Sequence, residues 1–314
     1  MKVGIIGLGS IGCRHGQLVR AAGHEVVGYD PNPGARSRFE AFGVPVLNRV
    51  DAIEGVDAVI VASPSVCHLE DMEAAIAAGR PVLVEKPFGH DLERARIAVE
   101  MAQKKNVQVF AAYNLRHRKV VKVVREWLLG GIIGKPLVAS FVYGSYLPDW
   151  RPDSDYRVGY AADLTTGGVI FDVIHEFDLA LHMLGPAELG ASVCNRSGLL
   201  EIASEDRAVI VLNHASGSLS TLRLDYLRRP ARRSLEIVGS DGVLRADLRS
   251  GIAEAVGPNG EECRGYREAV VRDDEYISQI RAFLNAEKDN PSICLGASAL
   301  ESLRLAIEAR AALS

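Results

Sequence analysis

Along the first third of the chain, short β-branched apolar runs alternate with longer stretches in which apolar residues recur at helical spacing. The runs are Val3 to Ile6, Glu25 to Tyr29, Ala58 to Ala62, Pro81 to Val84 and Val107 to Ala111, and Ile11 to Ala22, Val66 to Ala78 and Leu92 to Lys104 read as amphipathic helices between them. Parallel neighbours cannot be joined by tight turns, so this alternation predicts a parallel sheet with crossover helices. After Arg116 the pattern changes. A helix over Lys119 to Leu129 is expected to stop at Gly130-Gly131, where glycine readily takes the left-handed conformation. Strand-like runs then follow at Leu137 to Tyr146, Ala191 to Asn195, Ala208 to Asn213, Leu219 to Tyr226 and Ser234 to Val238, the last before the turn Gly239-Ser240-Asp241-Gly242. Such runs, with turn signals between them, predict an antiparallel sheet. Val169 to Leu184, Glu275 to Ala286 and Ala297 to Leu313 read as helices. The expected fold is α/β: a doubly wound parallel sheet over residues 1–117, then an α+β domain over 118–314 with an open, mainly antiparallel sheet. Its last helix, about 297–314, can pack back on the first domain.

A chain of 314 residues comfortably fills two cores, and 48% apolar with 24% charged residues is ordinary globular composition. The formal net charge of −4 provides no basic surplus to attract phosphate polymers or anionic lipid, which argues against nucleic-acid and membrane partners. Met1 to Gly7 lead straight into a glycine loop without the apolar region of a signal peptide, so a cytoplasmic location is expected. The five cysteines have no paired short spacing, which points to thiols rather than a disulfide framework or zinc site.

Gly7-Leu8-Gly9-Ser10-Ile11-Gly12 follows the first predicted strand and opens the first predicted helix, the context a dinucleotide fingerprint requires. Its glycines allow a tight turn, close approach of a pyrophosphate and packing of helix on sheet, while the N–H groups of Ser10, Ile11 and Gly12 face the phosphates. Asp30 ends the second strand, where a carboxylate accepts hydrogen bonds from the adenosine ribose hydroxyls and repels a 2′-phosphate. NAD is therefore expected over NADP, with Arg36 and Arg38 nearby as the features that would favour the latter.

Lys86, in Glu85-Lys86-Pro87, falls at the carboxyl end of a parallel strand, where ligands of open α/β sheets bind. There a lysine can stabilise negative charge developing on a substrate oxygen, although an exposed strand-end lysine satisfies the same pattern. The other dense cluster runs from Gly167 to Asp178. Asp172 and His175, three apart, would share a helical face, with His182 two turns further on. Alcohol oxidation releases a proton as well as a hydride, and histidine is suited to accept it near neutrality. A metal site is not expected, because Leu179 occupies the position at which a His-Glu-x-x-His motif needs its second histidine. Arg116, Arg151 and Arg157, with Tyr156, are candidates for holding an anionic substrate, since guanidinium pairs bidentately with carboxylate or phosphate.

Together Gly7 to Gly12, Ala62-Ser63-Pro64 with His68, Glu85-Lys86-Pro87, Tyr113-Asn114-Leu115-Arg116 and Gly167 to Asp178 resemble the glucose-fructose oxidoreductase, inositol dehydrogenase and MocA family across nearly the whole chain. The resemblance implies a Rossmann domain followed by a sheet domain whose open face forms a homodimer or homotetramer. It implies bound NAD and a sugar, cyclitol, sugar acid or nucleotide sugar as substrate. By the same resemblance Lys86 contacts the reacting oxygen, His175 is the general acid/base, and Asp172 supports it or touches substrate. Ser63, Pro64, His68, Glu85 and Asn114 line the cofactor site. Many members space the aspartate and histidine four apart, whereas here they are three apart. Two alternatives stay open: an NAD-binding sensor or scaffold without turnover, and an enzyme that uses NAD transiently for epimerisation or elimination.

Overall fold

The computed structural model describes residues 1–152, 154–287 and 289–312. In chain order, the first stretch holds β1 (Lys2–Ile6), α1 (Ser10–Ala21), β2 (Glu25–Tyr29), α2 (Pro33–Glu40), α3 (Arg49–Glu54), β3 (Ala58–Val61), α4 (His68–Ala77), β4 (Val82–Val84), α5 (Leu92–Lys104) and β5 (Val109–Ala111). Next come α6 (Lys119–Leu129), β6 (Pro136–Gly144), α7 (Val169–Asp172), α8 (His175–Leu184), β7 (Ala187–Asn195), β8 (Arg207–His214), β9 (Leu219–Asp225), β10 (Arg232–Gly239), β11 (Val243–Asp247), β12 (Ile252–Val256) and β13 (Glu262–Arg267). The chain continues through α9 (Asp274–Leu284) and β14 (Cys294–Leu295) into α10 (Gly296–Arg310). No helix among the described residues is long and apolar enough to cross a membrane.

Two compact units result, one of residues 1–117 with 273–303 and the other of residues 118–272 with 304–314. The first contains a six-stranded sheet in the order β14-β5-β4-β3-β1-β2. Its strands from β1 to β5 pair in parallel, and β3, β4 and β5 are buried at every position, as a sheet covered by helices on both faces requires. Two short helices escaped the periodicity because caps, not apolar stripes, define them. Asn32 accepts from the amides of Gly34 and Ala35 with Pro33 in the first turn, and Asn48 accepts from the amide of Asp51.

The return of residues 273–303 to the first unit corrects the assignment of all of 118–314 to the second domain. In that segment α9 packs on α1 and on residues 114–117, and β14 adds an antiparallel edge to β5. A strand of two residues is too short for any periodicity to register. The last helix is shared: its residues to Leu303 belong to the first unit and those from Arg304 to the second. Leu313 and Ser314, which the sequence reading included in that helix, lie outside the described residues.

The second unit is an eight-stranded sheet in the order β13-β12-β11-β10-β6-β9-β8-β7, antiparallel throughout except for the β6–β9 pair. Helices α6, α7 and α8 pack on one face, over Phe141, Leu212, Leu222, Leu235, Ile237 and Leu244. Alternate residues on the other face, among them Val138, Val209 and Leu219, stay exposed. The strands β11 to β13 were not anticipated, because charged outward positions such as Arg245, Asp247 and Glu254 break up their apolar runs.

One prediction fails where the chemistry was expected. Val169 to Leu184 is not one helix: α7 ends at Asp172 and α8 starts at His175, with Val173 at φ −108° and ψ 27° between them. The premise that Asp172 and His175 share a helical face therefore falls. The apolar pattern runs unbroken through this point, so periodicity cannot mark it. What anchors α7 lies elsewhere in the sequence: Val169 N–H donates to the backbone carbonyl of Glu205, and Ile170 N–H donates to its carboxylate at 3.1 Å. Gly168, at φ +91°, is needed there because a Cβ would lie 2.1 Å from a Glu205 carboxylate oxygen.

Candidate active site

Strand register lines up the candidates of the first unit. Ile6 pairs with both Tyr29 and Val61, Val61 with Val84, and Val84 with Ala111. Gly7, Asp30, Ser63, Lys86 and Asn114 thus all leave the sheet at the carboxyl ends of neighbouring strands, the edge at which open α/β sheets bind ligands. Each loop glycine has a distinct reason. A Cβ on Gly7 would meet Ser63 N at 2.3 Å and one on Gly12 would meet Gly7 O at 1.9 Å, whereas nothing lies within 4 Å of a Cβ on Gly9. Gly9 caps α1 without any side-chain hydrogen bond, and no acidic residue stands in the first turn. An open approach to uncapped N–H groups at a helix start suits a pyrophosphate.

Asp30 accepts from Leu8 N–H at 2.7 Å and Asn32 N–H at 2.8 Å, one on each carboxylate oxygen. That grip joins the glycine loop to the end of β2 and leaves each oxygen a further lone pair for a ribose hydroxyl. Ser63 donates to Asp71, which Arg49 holds through two N–H groups. His68 is buried between two carbonyls, with Nδ1 2.8 Å from Pro87 O and Nε2 2.9 Å from Ser63 O, so its ring fills the space between the Ser63 loop and the Lys86 turn. Burial holds its imidazole below the usual histidine range, so near neutrality the ring has one N–H to donate. Glu85 is buried and faces His15 at 2.7 Å, and Lys86 beside it is half-buried. Arg116 is buried as well and donates to Ile293 O at 3.1 Å.

In the second unit, Asp172 is the buried centre of a tyrosine clamp. Tyr160 donates to one carboxylate oxygen at 2.5 Å and Tyr226 to the other at 3.0 Å. Desolvation first, then the Asp172 charge, pushes the phenols of the buried Tyr226 and the partly exposed Tyr160 far above their usual range, so they remain donors at any physiological pH. Trp150 packs edge-on to Tyr226 and Tyr143, and the Arg233 guanidinium lies 4.5 Å over Tyr143. Arg233 also meets the buried Glu176 at 2.9 Å, an ion pair whose N–H points away from the ideal line. Burial raises Glu176 above the usual carboxylate range despite that partner. His175 opens α8 and is half-buried, while His182 falls in the last turn of the same helix. Arg157 and Tyr156 engage the 199–201 stretch: Arg157 pairs with Asp155 and Glu201, and the Tyr156 hydroxyl accepts from Glu201 N–H at 3.4 Å. Arg151 is exposed, close enough to Tyr160 to act on its hydroxyl.

The register thus gathers the cofactor candidates and Lys86, and one short segment carries Asp172 and His175. Sequence reasoning missed His15, Tyr160, Tyr226, Glu205 and Arg310. Only His15 had a signal, since its spacing from Gly12 sets it on the buried face of α1.

Comparison with known proteins bears on both units. The family model described as "Oxidoreductase family, NAD-binding Rossmann fold" matches residues 1–113, and the "GFO/IDH/MocA C-terminal domain" matches residues 121–245. The myo-inositol 2-dehydrogenase of Thermotoga maritima is 28% identical, over 100% of this chain and 96% of its own. The UDP-N-acetylglucosamine 3-dehydrogenase of Acidithiobacillus ferrooxidans is 27% identical, over 99% and 97%. A crystal structure of an oxidoreductase from Agrobacterium radiobacter, in complex with NAD+, L-tartaric acid and magnesium, superposes with a TM-score of 0.83 at 22% identity, covering 99% of this chain and 96% of the other.

Proposed function

We propose, from the premise that this chain belongs to the GFO/IDH/MocA family of NAD-binding oxidoreductases, that it is a dehydrogenase acting at a secondary alcohol, or the matching ketone, of a sugar, cyclitol, sugar acid or nucleotide sugar. The names of its relatives span a cyclitol and a nucleotide sugar, which supports that range. The observation that carries the reading is the row at the carboxyl ends of β1 to β5, where an uncapped glycine-loop helix, a ribose-type aspartate and Lys86 emerge from adjacent strands.

Bound NAD supplies the hydride acceptor, or in its reduced form the donor. Gly7, Gly9, Ser10, Ile11 and Gly12 hold the pyrophosphate, and Asp30 takes the adenosine ribose and disfavours NADP. Ser63, Pro64, His68, Glu85, Lys86 and Asn114 line the rest. Lys86 donates to the reacting oxygen and stabilises the charge that grows there. His175 accepts the hydroxyl proton on oxidation and returns it on reduction. Asp172, its carboxylate aimed by two tyrosines, supports His175 or takes a substrate hydroxyl. Arg151 is an exposed cation for an anionic substrate group; Arg116, Tyr156 and Arg157 have protein partners and would serve by shaping the site.

The open sheet face, with Val138 paired across register with Leu219 and Val238, is the surface we assign to a homodimer or homotetramer. Cytoplasmic location completes the reading. The decisive test is NADH absorbance with sugars, cyclitols, sugar acids and nucleotide sugars, in both directions and with both nicotinamide cofactors. Turnover with NAD that Lys86→Ala abolishes, NAD binding being retained, is the expected result. Tight NAD binding without turnover of any substrate in the panel would sink it.

A further inference from the structure

On the helix-covered face of the second sheet, Ala139 and Phe141 of β6 and Ile237 and Leu235 of β10 form two buried rows. The next pair along both rows is Tyr143 and Arg233, which face each other in register. At this same end of the sheet Tyr226, just past β9, donates to Asp172. The Arg233 guanidinium lies over the Tyr143 ring, and its Nε is 2.9 Å from the buried Glu176, the neighbour of His175 in sequence. Among the described residues neither of its terminal nitrogens donates to a protein acceptor. The side chain keeps 18% of its surface open, and only Nε is both buried and without a hydrogen bond, so the terminal nitrogens are the part that solvent reaches. Trp150, edge-on to both Tyr143 and Tyr226, makes the aromatic row continuous from Arg233 to the tyrosine clamp on Asp172. Desolvation pushes the Tyr143 phenol up to about 12, and Arg233, Asp172 and Glu176 are the charges that act on it.

We propose that Arg233 binds an oxyanion of the substrate, a carboxylate or a phosphate, through its two terminal nitrogens, so that the substrate is an anionic sugar rather than a neutral sugar or cyclitol. The inference rests on the reading of the Asp172 and His175 segment as the place of reaction. Neutralising Glu176 occupies one nitrogen of the guanidinium, and Tyr143 occupies one face. What remains is a fixed planar fork, which matches the paired oxygens of a carboxylate or phosphate. The other charges nearby permit an anion there. Asp172 is taken up by two phenol donors, Glu176 is matched by Arg233 itself, and Arg151 adds an exposed cation beside Tyr160. A neutral sugar in the same position would shield the fork from water without offering it an acceptor, so the arrangement selects against it.

The test is turnover by the purified full-length protein, read by NADH absorbance, of D-glucuronate, D-gluconate, D-glucose 6-phosphate and UDP-glucose against D-glucose and myo-inositol. An anionic member is expected to give the highest kcat/KM, and the arm that leads separates carboxylate from phosphate. Arg233→Lys keeps a cation beside Glu176 but loses the fork. It is expected to raise KM for the preferred anion by about 10- to 100-fold, as loss of a charge-assisted hydrogen bond does, and to shrink the preference for anion over neutral sugar by the same factor. If that variant does not fold, Arg233→Met combined with Glu176→Gln removes both members of the buried pair and carries the same expectation. Neutral sugars or cyclitols turned over as well as the anions, or a preference for the anion that Arg233→Lys leaves intact, overturns the inference while the dehydrogenase reading stands. Equal losses for anion and neutral sugar in Arg233→Lys assign the residue to the fold alone and overturn it too. Tight NAD binding without turnover of any member removes the dehydrogenase reading, and the inference falls with it.

Discussion

The two segments expected to carry chemistry are built on opposite plans. Glu85-Lys86-Pro87 follows a strand buried on both faces, and the groups that orient it come from the glycine-loop helix and from His68. Asp172 and His175 flank a break between two helices, one of only four residues, and depend on side chains far away in sequence. Tyr226 reaches Asp172 from β9's end, Arg233 reaches Glu176 from β10, and Arg310 reaches the same region from the close of α10. Lys86 is placed by a strand end that the local sequence already marks, whereas the broken helix is placed by anchors that no local pattern marks. Lys86 should therefore tolerate distant substitutions that disable Asp172 and His175.

The largest effects should come from the two groups proposed to act on the reacting oxygen. His175→Ala is expected to lower kcat/KM by about 10²–10⁴-fold and Lys86→Ala by about 10²–10³-fold, both with NAD affinity unchanged in fluorescence titration. A loss of NAD affinity in His175→Ala would break the division of labour between the two segments.

Arg310→Ala comes next. Arg310 pairs with the fully buried Glu205 at 3.1 Å, donates to the carbonyls of Leu164 and Thr165, and lies over Phe171. Removing one partner of such a buried pair costs about 3–5 kcal/mol, and urea unfolding would measure it. Turnover should fall while the midpoint of NAD binding holds. Equal loss of both would show that the brace is not specific to the Asp172 segment.

Tyr226→Phe sharpens the comparison further, because it deletes only the hydroxyl on Asp172. One buried carboxylate oxygen is left without that donor, at a cost of about 1–3 kcal/mol in stability. No comparable change is expected from removing the exposed Arg94–Glu73 pair, for which about 0–1 kcal/mol is usual.

The smallest and most diagnostic contrast is in pH. Glu85 has a depressed folded pKa, so its contribution is present above the ordinary glutamate range and is lost as pH falls through the folded value. Glu205 is raised, because burial outweighs Arg310; its contribution is complete below the ordinary range and is lost as pH rises through the raised value. Thermal unfolding between pH 3 and 7 should show Glu85→Gln less acid-sensitive than the wild type, and Glu205→Gln relieved of the loss on the alkaline side. Parallel responses of the two variants would contradict the opposite placement of these carboxylates.

What could be read without coordinates follows the range of the forces involved. The strands β1 to β5, the glycine loop, Asp30 and the position of Lys86 were legible because alternation, loop glycines and strand ends are properties of a few consecutive residues. Helix α5 was predicted to the residue for the same reason, with Asp91 as a side-chain cap at its start. The family resemblance came from those same local motifs. By itself the sequence thus determined the parallel strands β1 to β5, the strands β6 to β10 of the second sheet, the class of cofactor and the residue types able to react. Tertiary structure alone decided the break between Asp172 and His175, the return of residues 273–303 to the first unit, and the pairing of His15 with Glu85. Each of these depends on contacts between groups tens to more than a hundred residues apart. A buried polar group must find a partner wherever the fold brings one, and the distance to that partner along the chain leaves no period in the sequence.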